Sequence, residues 1–216
     1  MAVDAPEKIR DAARSRVAIL AAAERLFAER GFDGTSLGEI GAAAGLSRGS
    51  PSYFFGSKER LYADVLASAF AGRQEATKQA FEPVVAWARG DGGVDELREA
   101  LSSAATGYMR YLAENPSFVG LVMREELADG RRLRVATTSS TAMKDAFSAV
   151  RRAGPSRGLR SFRVEEAVLL FVALTFAPIS YRNTLLPALG VDVTTPAGIR
   201  RQTKLAVAEM MHFLCG

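Results

Sequence analysis

Apolar residues recur along most of this chain at spacings of three and four, the signature of helices with one buried face, and no stretch alternates with the period of a half-buried strand. Over 11–30, Val17, Leu20, Ala23 or Glu24, and Phe27 fall on successive turns, and Gly31 ends that helix with Phe32 folded back on it. Asp33 and Gly34 signal a turn. Ser36 and Glu39 then fit a capping box, in which side chain and backbone satisfy each other's orphan groups, and Leu37, Ile40 and Ala44 share the face of a two-turn helix. Gly45 suits the left-handed residue that stops it, and Leu46 plugs the corner. Pro51 fits the first turn of a helix, so a second short helix is expected from Ser50 and Pro51, capped by Ser47 or Ser50, with 47–49 in a looser turn. It turns Arg48, Ser52 and Tyr53 outward and Phe54 or Phe55 inward. Gly41 stands where the two short helices cross closely.

Beyond this pair the pattern lengthens. Ser57 caps a helix carrying Leu61, Val65, Leu66, Ala69 and Phe70 toward Phe81 and stopping before Pro83, with Trp87 in a short segment ahead of Gly90, Gly92 and Gly93. Helices are expected over 94–114, 116–128, 138–152 and 164–182, the last apolar on most of its circumference and so buried on more than one side. Thr195 and Pro196 start a final helix that runs through Ile199, Leu205, Val207, Met210 and Met211 to Leu214. The fold class is therefore all-α. It comprises a flexible arm (1–10), a small three-helix domain (11–57) whose helix-turn-helix motif spans about 36–55, and a larger helical domain (58–216).

A short helix, a tight turn and a second helix with an outward polar face is the geometry that fits a DNA major groove. The residues of this stretch resemble the DNA-binding domain of the TetR family of bacterial transcriptional regulators: Thr35, Ser36, Ile40, Ala44, Gly45, Leu46, Ser47, Arg48, Gly49, then Tyr53, Phe54, Phe55, Ser57, Lys58 and Glu59. Pro51 and Gly41 depart from the leucine and alanine more usual in that family. The resemblance covers about 14–66; beyond it only the helical layout is similar. It implies a double-stranded DNA operator as partner, a homodimer paired through the last two helices, and a small-molecule effector bound by the larger domain. That is a repressor released by its effector. The reading from another class is a helical ligand-binding or protein-interaction module without operator recognition. The polar surface around Arg48 and Tyr53, poor in exposed hydrophobes, favours DNA.

Composition narrows the field only a little. A net charge of +4 permits a nucleic-acid partner without demanding one. One cysteine, Cys215, leaves no intramolecular disulfide, and one histidine, His212, leaves few metal sites, so neither metal nor cofactor is expected. No Walker loop or dinucleotide fingerprint occurs, and an enzyme is not expected. The acidic N-terminal stretch is unlike a secretory signal, and the apolar run over 167–179 is short of the ~20 residues of a membrane span. A cytoplasmic protein is expected.

The candidate DNA contacts are Thr35, Ser36, Arg48, Gly49, Ser50, Ser52, Tyr53 and Lys58. Arginine pairs with the guanine edge through two parallel hydrogen bonds, and hydroxyls reach bases or phosphates. By resemblance, Arg48 and Ser50 contact bases or adjacent phosphates, Tyr53 the backbone, and Thr35 and Ser36 a phosphate at their helix start. Packing of Tyr53 within the domain, and a purely capping Ser50, stay open. Lys58 in the first turn of its helix opposes the macrodipole unless a phosphate lies there. In the larger domain Trp87, Tyr108, Tyr111, Phe118, Met123 and Phe147 divide between core and the lining of a largely apolar effector cavity. Arg124 with Glu125 or Glu126 offers that cavity a polar contact or else forms a solvated helix face. The positive loop around Arg157 is expected to be solvated.

Overall fold

The computed structural model describes residues 5–130, 132 and 141–216, with side chains from Arg10 onward except Thr141. The described residues hold ten α-helices, one 3-10 turn (Pro155–Arg157) and no strand. They are α1 (Ala5–Arg30), α2 (Leu37–Ala43), α3 (Ser50–Phe55), α4 (Lys58–Arg89), α5 (Val94–Glu114), α6 (Pro116–Leu127), α7 (Thr141–Ala153), α8 (Val164–Ser180), α9 (Leu185–Ala188) and α10 (Pro196–Cys215). Two compact units result: Met1–Phe70 with Ser117–Thr137, and Ala71–Pro116 with Thr138–Gly216.

Three expectations are corrected. Helix α1 begins at Ala5, so residues 5–10 of the expected arm are helical, while 1–4 lie outside the described residues. Pro6 sits in the first turn, where its missing N–H costs nothing. Helix α4 does not stop before Pro83 but continues to Arg89 and takes Trp87 into its last turn. An interior proline costs about 3 kcal/mol. Burial of Phe81, Val84 and Trp87 around it offsets that, since each large apolar side chain removed from water contributes ~1.5–3 kcal/mol. Arg157, expected in a solvated loop, instead lies over the Trp87 ring at 4.4 Å and donates to the carbonyls of Trp87 (2.7 Å) and Gly90 (2.5 Å), closing the end of α4. The start expected for α7, at 138, falls outside the described residues.

The second unit is a bundle of α5, α7, α8 and α10 with the end of α4. Its centre is aromatic: Phe171 of α8 meets Phe81 at 4.9 Å, Tyr108 at 5.9 Å and Phe147 at 6.0 Å between ring centroids. Helix α8 buries Val164, Ala167, Phe171, Thr175 and Ile179 along one face. On another face of α8 Leu169 is 69% exposed. On α10, Leu205 is likewise 52% exposed.

The first unit joins α1, α2, α3 and the start of α4 with α6. Phe27, Phe32 and Tyr62 form its aromatic centre, Phe27 and Tyr62 edge to face at 4.7 Å. Helix α6 seats on α1 through Gly120, where a β-carbon would meet Ala28 at 3.2 Å. Neither of the readings offered for Arg124 and Glu125 holds. Arg124 donates through Nε to the Ala28 carbonyl at 2.7 Å and through Nη2 to that of Glu29, satisfying carbonyls left open at the end of α1. Glu125 is buried and accepts the Tyr62 hydroxyl at 2.6 Å. Burial, then this hydrogen bond to Glu125, pushes the Tyr62 phenol well above its ordinary range.

Candidate nucleic-acid interface

Local chemistry sets the α2–α3 segment before any distant contact does. Ser36 caps α2: its hydroxyl accepts from Glu39 N at 3.2 Å, and the Glu39 carboxylate accepts from Ser36 N at 2.9 Å. Glu39 also takes the Ser36 hydroxyl at 2.6 Å and pairs with Arg30 at 3.0 Å. The Ser36 hydroxyl first, then the Ser36 backbone and Arg30, hold the Glu39 carboxyl below its usual range. Gly45 ends the helix at φ +70°, a conformation that glycine adopts without penalty. Gly41 then admits the turn: a β-carbon there would lie 2.5 Å from the Ser47 carbonyl oxygen.

Helix α3 begins at Ser50 with buried Pro51 in its first turn, as the sequence predicts, but Gly49 is the capping residue and no side chain caps it. Ser47 and Ser50 join their hydroxyls at 2.8 Å instead. Phe55 is the inward aromatic. Arg48, Gly49 and Ser52 are exposed, and Tyr53 is 84% exposed with its ring 5.1 Å from that of Phe54, so Tyr53 does not pack inside the domain. The Arg48 guanidinium has no hydrogen-bond or ion-pair partner among the described residues. Together these side chains give α3 and its preceding turn a continuous donor-rich surface.

Two of the expected residues sit differently. Thr35 is buried, and its hydroxyl faces the Gly31 carbonyl at 2.9 Å and that of Leu26 at 3.3 Å, tying the end of α1 to the start of α2. Its side chain faces inward, so only Ser36 presents a hydroxyl at that helix start. Lys58, half-buried, holds its ammonium 4.4 Å from the Phe32 ring centroid, a cation–π contact invisible in the spacing.

The six effector candidates are divided between the two units. Phe118 and Met123 belong to the first unit; Trp87, Tyr108, Tyr111 and Phe147 belong to the second. Tyr108 and Phe147 are core, 2% and 0% exposed. Trp87 donates its indole N–H to the Gly93 carbonyl at 2.7 Å, and its edge borders an open groove of about 500 Å³ with Pro83, Gly92, Glu96 and Glu99.

Residues 19–65 match the family model for bacterial regulatory proteins of the TetR family, and 98–209 match a tetracyclin repressor-like C-terminal domain, the latter alone half of the chain. The chain belongs to the TetR family. It is thus a DNA-binding transcriptional regulator. The chain is 28% identical to the HTH-type transcriptional repressor NicS of Pseudomonas putida over 193 residues, 86% of this chain and 85% of that one. It is 37% identical to the repressor BepR of Brucella suis over 70 residues, 32% and 34% of the two chains. A TetR-family regulator from Rhodococcus RHA1 shares the fold with a TM-score of 0.69 at 19% identity, covering 93% of this chain and 96% of that one. Among the described residues no helix is long and apolar enough to cross a membrane.

Proposed function

We propose that this TetR-family regulator is an operator-binding repressor that acts as a homodimer and lets go of DNA when a small molecule binds its second unit. The observation that carries the reading is the exposed set Arg48, Ser52 and Tyr53 on α3 and the turn before it, a segment whose geometry is fixed by Gly41, Pro51 and Phe55. Arg48 and Ser50 meet bases or adjacent phosphates, Gly49 allows close approach, and Ser36, Tyr53 and Lys58 meet the backbone. The full-length similarity to a protein named as a repressor supports repression.

Pairing runs through α8 and α10. Their apolar positions Leu169 and Leu205 stay open in one chain, and a two-fold axis placing α8 and α10 against their copies covers both. The same axis repeats α3 at half-sites one helical turn apart, ~34–36 Å, or a multiple of it. In function, the division lies near residue 57: 11–57 reads DNA, and 58–216 binds the effector and dimerises. Helix α4 is continuous from Lys58 to Arg89 and so takes part in both. If the effector prefers the state that DNA does not, linkage makes DNA weaken the effector by the same factor, a coupling of ~1–3 kcal/mol.

Selection of duplexes from a random pool by the purified protein, followed by light scattering of the free protein, tests this. A two-fold symmetric consensus and a dimer at micromolar concentration are expected. Absence of any consensus together with a monomer removes both operator reading and pairing.

A further inference from the structure

Arg16 lies on α1, close in sequence to Arg10 and Arg14. In the structure its side chain, 46% exposed, reaches across the surface to α3 and α4. Its Nη1 donates to the Phe54 carbonyl at 2.8 Å, its guanidinium carbon lies 4.3 Å from the Phe55 ring centroid, and its Nη2 stands 3.6 Å from the Asp64 carboxylate. One planar group from α1 therefore touches α3 twice and α4 once.

Helix α3 needs such a contact. It has six residues, far fewer than the ~12–15 at which an isolated helix becomes even marginally stable, and its last carbonyls have no partner inside it. Ser52 O accepts from Gly56 N at 2.9 Å and Phe55 O from Ser57 N at 3.0 Å, while Phe54 O accepts from Arg16. A cation at this end is favoured by the helix dipole. Arginine also fits a need that lysine does not, because contact with the Phe55 ring and donation to the Phe54 carbonyl and toward Asp64 at once use a flat, forked group.

We propose that Arg16 is a positioning residue: it fixes the orientation of the recognition helix against α1 and α4, and so governs base discrimination without touching DNA. Beside it lies a hollow of about 280 Å³ lined by Arg16, Phe54, Phe55, Gly56, Arg60 and Asp64, which defines the rival reading, a DNA phosphate seated between the two arginines. Asp64 at the wall of that hollow disfavours an anion there.

The test titrates the full-length wild type, Arg16→Met, Arg16→Lys and Asp64→Asn with a duplex selected by the wild type and with a scrambled duplex, across a range of salt. Arg16→Met is expected to lower affinity for the selected duplex about tenfold, the weight of a charge-assisted hydrogen bond, with scrambled-duplex affinity and salt slope as in the wild type. Arg16→Lys stays within about threefold of Arg16→Met, since it keeps charge but not planarity. Asp64→Asn loses about two- to threefold on the selected duplex alone. Equal losses on both duplexes with a slope lower by about 0.9 make Arg16 a phosphate contact and overturn the proposal. A folded Arg16→Met with wild-type discrimination, or full rescue by lysine, also overturns it. If far-UV circular dichroism shows Arg16→Met unfolded, Asp64→Asn decides: an unchanged ratio of the two affinities sinks the idea. A wild type that selects no sequence has no discrimination to govern and fails at the earlier step.

Discussion

The α2–α3 segment and the bundle around Phe171 are stable for different reasons. In the first, two helices of seven and six residues are held by caps, by glycine where backbone meets backbone, and by single buried aromatics such as Phe55. In the second, helices of 21, 17 and 20 residues close around four interlocked rings, with polar contacts such as Thr106 to Thr203 at 3.3 Å added to that core. A segment that must present polar groups to a partner cannot draw stability from a large core of its own. It relies on backbone geometry, and is correspondingly intolerant of changes that a bundle would absorb.

That contrast can be broken by substitution. The largest effect is expected from Phe171→Ala, which empties the ring cluster and costs about 3–5 kcal/mol in denaturant unfolding. A loss under 1 kcal/mol would mean that the rings do not act as one core. Gly41→Ala is next: with a backbone oxygen 2.5 Å from the new carbon, overpacking costs about 1–3 kcal/mol and operator binding falls with it. Wild-type operator affinity in that variant would show that the crossing of α2 and α3 is loose. Arg48→Ala is expected to leave stability alone and remove about 1–3 kcal/mol of discrimination between selected and scrambled duplexes. Lys58→Ala weakens both equally and lowers the salt slope by about 0.9; an unchanged slope assigns its ammonium to Phe32 instead.

The smallest effect lies in the capping box. Because the folded-state carboxyl of Glu39 is depressed from its ordinary value of 4.5, its contribution is complete above that value and is lost as pH falls through the folded-state value. The stability difference between wild type and Glu39→Gln should vanish in acid. Persistence there would assign the cap to the hydroxyl alone.

The same contrast explains what the sequence discloses. Ser36 with Glu39, Gly45, Pro51 and Thr195 with Pro196 are signals that act within a few residues, and each appears in the structure where the spacing puts it. The contacts that orient those pieces join residues 38, 63 and 96 positions apart: Arg16 to Phe54, Tyr62 to Glu125, Arg124 to Ala28. No local pattern marks them, because an arginine that closes a helix end looks like any other arginine on a helix. The continuation of α4 through Pro83 is hidden for the related reason that burial, a tertiary effect, outweighs local propensity. Thr35 is expected from the resemblance to meet a phosphate, and nothing local marks it as buried. No local pattern sorts the effector candidates, because aromatic residues at helical spacing look alike whether they fill a core or line a cavity.

One contact of the second unit has a spectroscopic side. The chain has a single tryptophan, and Trp87 sits with its indole N–H bonded to Gly93 and a guanidinium over its ring, at the corner where α4 gives way to α5. Light at the red edge of the absorption band, beyond the tyrosines, excites that side chain and no other. Indole emission depends on the charge and hydrogen bonding around the ring, so its colour and lifetime report whether Arg157 and Gly93 stay in place. The protein thus carries an optical label at the end of α4 remote from Lys58, and events there can be followed in the unmodified chain.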